Sequence, residues 1–210
     1  MNNIYRINFE EIRYAYRSIF DALEGAGPYR FYHGTIVDLI PFGGIEQDGE
    51  VILDNPPTEL SVYGCKEVTE EAVVIEGAFK VVTLPGLCIL KLAAYSEKPD
   101  RRAKDLDDFL FLLKNYHEIA GEQLFEGAYD DLIEGNFEMP VASARVLGRH
   151  MAPIVNKSHV LKEKVLSILK KRLKGFSEDE INQMYQVRDQ DDEQVICFKL
   201  IAETLKGINE

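Results

Sequence analysis

The pattern of apolar and polar positions changes character once along the chain. Up to about residue 85, apolar residues come in short runs rich in β-branched and aromatic side chains, punctuated by glycine and proline. Beyond that point they recur every three or four residues, the period of one helical face. The first part predicts short strands at 4–7, 29–33, 35–41, 51–53, 60–65, 72–76 and 79–84. Between the first two, Phe9, Ile12, Tyr16, Ile19, Phe20 and Leu23 predict a helix that starts at an Asn8 cap and ends near Gly25. Gly34 reads as a hinge, Gly43-Gly44, Asp48-Gly49 and Gly77 as turns, and Asn55-Pro56-Pro57 as a stiff loop.

The stretch 84–113 is the most informative of the chain. It predicts two helices joined by a charged elbow around Pro99, with apolar faces at Leu84, Leu87, Leu90 and Ala94 and at Leu106, Phe109, Leu110 and Leu113. Further helices are expected near 122–134, 140–155, 158–174, 177–187 and 190–207, the fourth opened by the capping box Ser177-Glu-Asp-Glu180. The fold class that follows is α+β: a small, mostly antiparallel sheet with flanking helices, then a C-terminal helical region. The division into domains is expected at 1–117 and 118–210, where strand signals have ended.

Composition narrows the function classes. The 210 residues are 46% hydrophobic and 29% charged, with a formal net charge of −12. The densest cationic run, Lys170, Lys171, Arg172 and Lys174, is too small for a strong basic groove, so broad nucleic-acid binding is disfavoured. Small phosphorylated substrates stay open, because a few placed lysines suffice for them. Three widely spaced cysteines fit neither a zinc pattern nor a disulfide framework, and the four histidines lack metal-ligand spacing. The N-terminus carries no apolar signal region and no apolar run reaches membrane length, so a cytoplasmic location is expected.

Charges inside apolar patterns are the candidates for chemistry. Asp38 lies in Thr35-Ile-Val-Asp-Leu-Ile40, otherwise a buried strand, where an acid needs a cation, a metal or several hydrogen bonds. The bland alternative is an acid at a strand end that caps a turn or pairs with one lysine. Lys91 sits among leucines and asks for a carboxylate, for which Asp38 is the candidate; otherwise it lays its stem along the core and reaches solvent. Lys104 and Asp108 are four apart and share a helical face with Asp105 close by. Alone, those three read as a solvated, salt-bridged surface. Gly43-Gly44 reads as a turn in preference to a phosphate loop, because it does not open a helix.

Together, Val37-Asp-Leu-Ile-Pro-Phe-Gly-Gly-Ile-Glu46, Leu84-Pro-Gly-Leu87, Lys91 and Arg102-x-Lys104-Asp105-x-x-Asp108 resemble the nucleotidyltransferase-like proteins of the AbiEii toxin type, within the DNA polymerase β-like nucleotidyltransferase superfamily. The likeness covers about residues 35–115. It implies Mg²⁺-dependent transfer of a nucleotidyl group from a nucleoside triphosphate. It further implies catalytic roles for Asp38, Lys91 and Lys104, with Asp38 a metal ligand, and substrate contacts at Arg102, Asp105 and Asp108. A toxin–antitoxin setting with an antitoxin-like protein partner belongs to the same implication. The family's Gly-Ser turn and Asp-x-Asp strand, which precede a helix like 8–25, have no counterpart in Met1–Ile7. Asp38 then stands for one of three metal carboxylates. Either the chain starts downstream of that motif, or it keeps the fold as a non-catalytic nucleotide- or protein-binding scaffold.

Overall fold

In the computed structural model of the protein, the described residues are 6–7, 29–32, 35–38, 40–54, 57–75, 79–125, 127–133, 137–174 and 193–210. The helices expected at 8–25 and 177–187, the capping box at Ser177, and the positions Gly34 and Gly77 lie outside them. The chain divides into two compact units, Met1–Lys66 and Glu67–Glu210.

The first unit holds β1 (Arg6–Ile7), β2 (Tyr29–Tyr32), β3 (Thr35–Asp38), β4 (Glu50–Asp54) and β5 (Pro57–Ser61). β4 pairs parallel with β1 and antiparallel with β5 in a three-stranded sheet, and β2 pairs antiparallel with β3. Leading into β4, Asp48 and Gly49 both take positive φ, 51° and 77°, while Gln47 and Glu50 exchange two backbone hydrogen bonds of 2.9 Å. That is the two-residue turn whose twist suits strands, and Asp-Gly is a sequence that tolerates it. Buried Val51 and Val62, with Ile45, Leu60 and Cys65 against them, form a small core. Gly43-Gly44 is a turn as expected: Glu46 Oε2 accepts from the Gly43 amide at 3.0 Å, and the Glu46 amide donates back to the Gly43 carbonyl at 3.0 Å.

Two strand expectations need correction. The strand expected over 60–65 ends as β5 at Ser61, and Cys65 opens a short helix, α1 (Cys65–Glu70). Pro57, expected in a loop, is the first residue of β5, a position where the missing N–H is tolerated.

The second unit contains the hairpin β6 (Val73–Ile75) and β7 (Phe79–Val81), then α2 (Leu84–Glu97), α3 (Ala103–Asn115), α4 (His117–Ala120), α5 (Met139–Val155), α6 (His159–Arg172) and α7 (Glu193–Asn209). Ser158 caps α6 by accepting from the Leu161 amide at 3.3 Å, and Lys170, Lys171 and Arg172 fill its last turn, where the helix dipole favours cations. Where a helix is expected over 122–134, the described residues instead form two 3₁₀ turns, Glu122–Phe125 and Asp130–Leu132. Gly127 lies between them with φ of 83°, a conformation that ends a helix.

α5 is the central element, packed against α2, α3, α4, α6 and α7. Its contact with α7 is the closest. A Cβ added to Gly148 would lie 2.2 Å from the Thr204 carbonyl oxygen, and one on Gly207 2.2 Å from the Arg145 carbonyl oxygen. Thr204 Oγ1 donates to the Ala144 carbonyl at 3.2 Å, and Arg145 donates to Glu203 at 2.7 Å. Residue numbers rise together on the two helices, so α5 and α7 run parallel.

The division between the units falls after Lys66, upstream of the one expected after residue 117. The reason is packing: α2 and α3 contact α5, and α2 also contacts α6, so the helical pair joins the later helices. The buried face of α2 is also shifted from expectation. Cys88, Ile89, Leu92 and Ala93 are buried, while Leu84, Leu87, Leu90 and Ala94 are half-buried. A helix touched on three sides has no single apolar stripe.

Candidate functional site

The α2–α3 pair is built by local signals. Thr83 Oγ1 accepts from the Gly86 amide at 3.3 Å and Pro85 occupies the first turn, so α2 starts where the backbone is preorganised. At the elbow, the amides of Arg101 and Arg102 both donate to the Lys98 carbonyl at 2.9 Å. The chain then reverses, and Leu106, Phe109 and Leu113 bury the inner face of α3.

That reversal sets Lys91 of α2 against the acids of α3. Lys91 Nζ donates to Asp105 Oδ1 at 2.9 Å and to Asp108 Oδ2 at 2.8 Å. Arg102 Nη1 reaches the other oxygen of Asp105, Oδ2, at 3.4 Å. Asp105 is buried, with 9% of its surface exposed, so it is not part of the solvated surface that Lys104, Asp105 and Asp108 suggest by themselves. Lys104 is exposed, one residue into α3. Hydrogen bonding from Asp108, against an opposing desolvation, and then from Asp105 holds the Lys91 ammonium above its ordinary range. The Lys91 bond, aided by the charge of Lys104, holds the Asp108 carboxyl below its own.

Lys91 therefore meets its carboxylates on the next helix, without need of Asp38. Asp38 closes β3 of the first unit, opposite Tyr29 in the β2–β3 register. Among the described residues no group of three or more His, Cys, Asp or Glu side chains gathers to hold a metal ion. In the α2–α3 cluster, cations already occupy the inward carboxylates, so the cluster does not fit Mg²⁺.

Removing one acid exposes the balance of this cluster. Asp105→Ala leaves Lys91 with one carboxylate and takes the partner from Arg102. The expected cost is about 1–3 kcal/mol, the range for hydrogen bonds to charged groups, because solvent still reaches Lys91 and limits the penalty. Urea denaturation followed by circular dichroism measures it, and a midpoint equal to wild type would show the ion pairs to be energetically idle.

A second polar cluster carries no signal in sequence spacing. His150 of α5 is bonded at both ring nitrogens: Nδ1 with the Tyr116 hydroxyl at 2.9 Å and Nε2 with the Tyr129 hydroxyl at 2.7 Å. Tyr116 is buried at the α3–α4 junction, and Tyr129 precedes the second 3₁₀ turn. The neighbouring Arg149 lies over the Tyr129 ring, 5.9 Å from its centroid, and pairs with Asp131 of the same turn. Only the folded chain brings residues 116, 129 and 150 together.

Among the described residues no helix is long and apolar enough to cross a membrane. No protein-family model, curated protein or solved structure matches the chain.

Proposed function

We propose that the chain is a nucleotidyltransferase-like protein of the AbiEii toxin type, and that the start of α3 receives the triphosphate of a nucleotide. The observation that carries this reading is the sorting of charge in the α2–α3 cluster. Lys91 engages Asp105 and Asp108, while Arg102 and Lys104 stand at the exposed N-terminal end of α3, with the exposed Asp107 the one acid of the helix that Lys91 does not hold. Helix amides at that end favour an anion, and two cations beside them raise the preference. In this arrangement Lys91 positions Asp105 and Asp108, and phosphate contact falls to Arg102 and Lys104. Phosphate oxygens would meet the amides at the start of α3 there, donors that the helix holds in place.

The order of Asp38, Leu84-Pro85-Gly86-Leu87, Lys91 and Arg102-x-Lys104-Asp105-x-x-Asp108 supports the same reading. Mg²⁺, attached by the resemblance to Asp38, is supplied in the test together with the nucleotide. The antitoxin-like partner and the cytoplasmic location stay with this proposal. A second reading, a non-catalytic nucleotide- or protein-binding scaffold of the same fold, draws on the neutralisation of Asp105 and Asp108, two of the three acids of α3, by cations.

Calorimetric titration of ATP, GTP, CTP and UTP with Mg²⁺ tests for the nucleotide site, and a nucleotidyl-transfer assay with any nucleotide that binds separates the transferase from a nucleotide-binding scaffold. Binding of at least one nucleotide is expected, weakened about 10- to 100-fold in Lys104→Ala, the worth of one charge-assisted contact. Asp38→Ala tests the Mg²⁺ role that the resemblance implies for Asp38, and an unchanged Mg²⁺ dependence of binding would remove it. Absence of binding to all four nucleotides would end the nucleotide reading and leave the scaffold.

A further inference from the structure

The hydrogen bonds around His150 impose a constraint on its charge. A neutral imidazole has one N–H and one bare nitrogen, so one of the two tyrosines donates to it and the other accepts. A protonated ring has two N–H groups, and both hydroxyls must accept. Each phenolic hydrogen then needs another acceptor. Tyr129 is half-buried and can turn its hydrogen to water, whereas Tyr116 is 5% exposed and cannot. Protonation in place thus leaves a donor stranded in the interior, at the cost of an unmade hydrogen bond.

We propose that this cluster is a pH-sensitive latch, in which proton uptake by His150 releases the Tyr129 turn from α5. The proposal is independent of the nucleotide reading. Two adjacent residues of α5 hold that turn: His150 through Tyr129, and Arg149 through Asp131 and the face of the Tyr129 ring. Release admits water to the ring, and that water supplies the acceptor which the Tyr116 hydrogen lacks while the turn is closed.

The surrounding groups leave His150 as the titrating member. Burial lowers its pKa below the ordinary value, and no charged neighbour contributes. From α2, the buried Cys88 bears electrostatically on Tyr116, but burial pushes its thiol up to about 12, so it stays neutral. Tyr116 is itself raised by burial. In the turn, the Asp131 carboxyl is held low by Arg149; just past the end of α7, Glu210 is held low, against its own desolvation, by Arg149 and Arg145. Both acids stay ionised through the window in which histidine titrates.

The sign follows from linkage. The released state takes its proton near pH 6.5, the latched state only at lower pH, so latching is full above about 6.5 and lost as pH falls through and below it. Hydrogen–deuterium exchange of the full chain, corrected for intrinsic rates, reads this directly. Between pH 7.5 and 5.5, exchange in peptides spanning residues 127–133 is expected to rise by up to about tenfold, the limiting proton-linkage factor for one unit below 6.5. His150→Gln keeps a donor and an acceptor without a titrating proton, and is expected to show no rise. No rise in wild type, or an equal rise in His150→Gln, overturns the latch. Should that variant fail to fold, NMR titration of the His150 ring in wild type decides instead: a rise in 127–133 exchange that follows the ring's own titration supports the latch, and a rise that does not follow it overturns the latch.

Discussion

Replacing Gly148 with alanine is expected to cost the helical unit about 3 kcal/mol or more. The new Cβ would sit 2.2 Å from the Thr204 carbonyl oxygen, 2.9 Å from the Gly207 Cα and 3.0 Å from the Ile208 amide. All three are backbone atoms, so no side chain can swing aside, and α5 and α7 must separate. Separation strips packing from Leu147 and Met151 on one helix and from Leu200 and Ile208 on the other, each fully or almost fully buried. It also stretches the Thr204 bond to Ala144 and the Arg145 bond to Glu203. Overpacking in a well-filled core costs about 1–3 kcal/mol, and clash with rigid backbone lies at or above the top of that range. Chemical denaturation of the full chain measures the loss. Gly44→Ala is the control, because nothing lies within 4 Å of its added Cβ. Similar midpoints for the two variants would refute the close α5–α7 contact.

Phe109→Ala is expected to be as damaging by the opposite mechanism. Phe109 is fully buried on the inner face of α3, four residues after Asp105 and next to Asp108. Truncating a buried phenylalanine loses its transfer energy and leaves a cavity, together about 3–5 kcal/mol. The seat of α3 against α2 goes with it, so Lys91 loses its fixed approach to Asp105 and Asp108. Any nucleotide affinity measured for wild type should therefore fall in Phe109→Ala even under conditions where the variant is still folded. Phe111, two residues on, is 66% exposed, and Phe111→Ala should stay within about 0.5 kcal/mol of wild type. Equal effects at the two positions would mean that α3 is not oriented as described.

Local signals carried much of this architecture. The α2–α3 pair, its elbow at Pro99, and α6 all follow from periodicity and breakers that lie within a few residues of one another. So do the Asp48-Gly49 turn and the strands β2 and β3. What periodicity could not reveal is which helix a charged residue faces. Lys91 needed a carboxylate, and the elbow supplied two, from positions 14 and 17 residues later, by reversing the chain. Gly148 and Gly207 resemble helix weakeners when each is read alone. Their meaning lies in each other. The His150 cluster was hidden for the same reason, since phenols at positions 116 and 129 have no periodic relation to a histidine at 150. Short α1 escaped because six residues hold too few turns to show a period.

The parallel course of α5 and α7 bears on how the helical unit assembles. Two parallel helices cannot be joined by a tight turn, and the bond from Thr204 to Ala144 spans 60 residues of chain. Contacts this distant in sequence are paid for in loop entropy before they return any stability, which slows folding relative to bundles of antiparallel neighbours. The same entropy grows only with the logarithm of loop length, by about 0.6 kcal/mol per doubling. The connection between α5 and α7 can therefore lengthen at small thermodynamic cost, while the two glycines that it brings together tolerate no added methyl group.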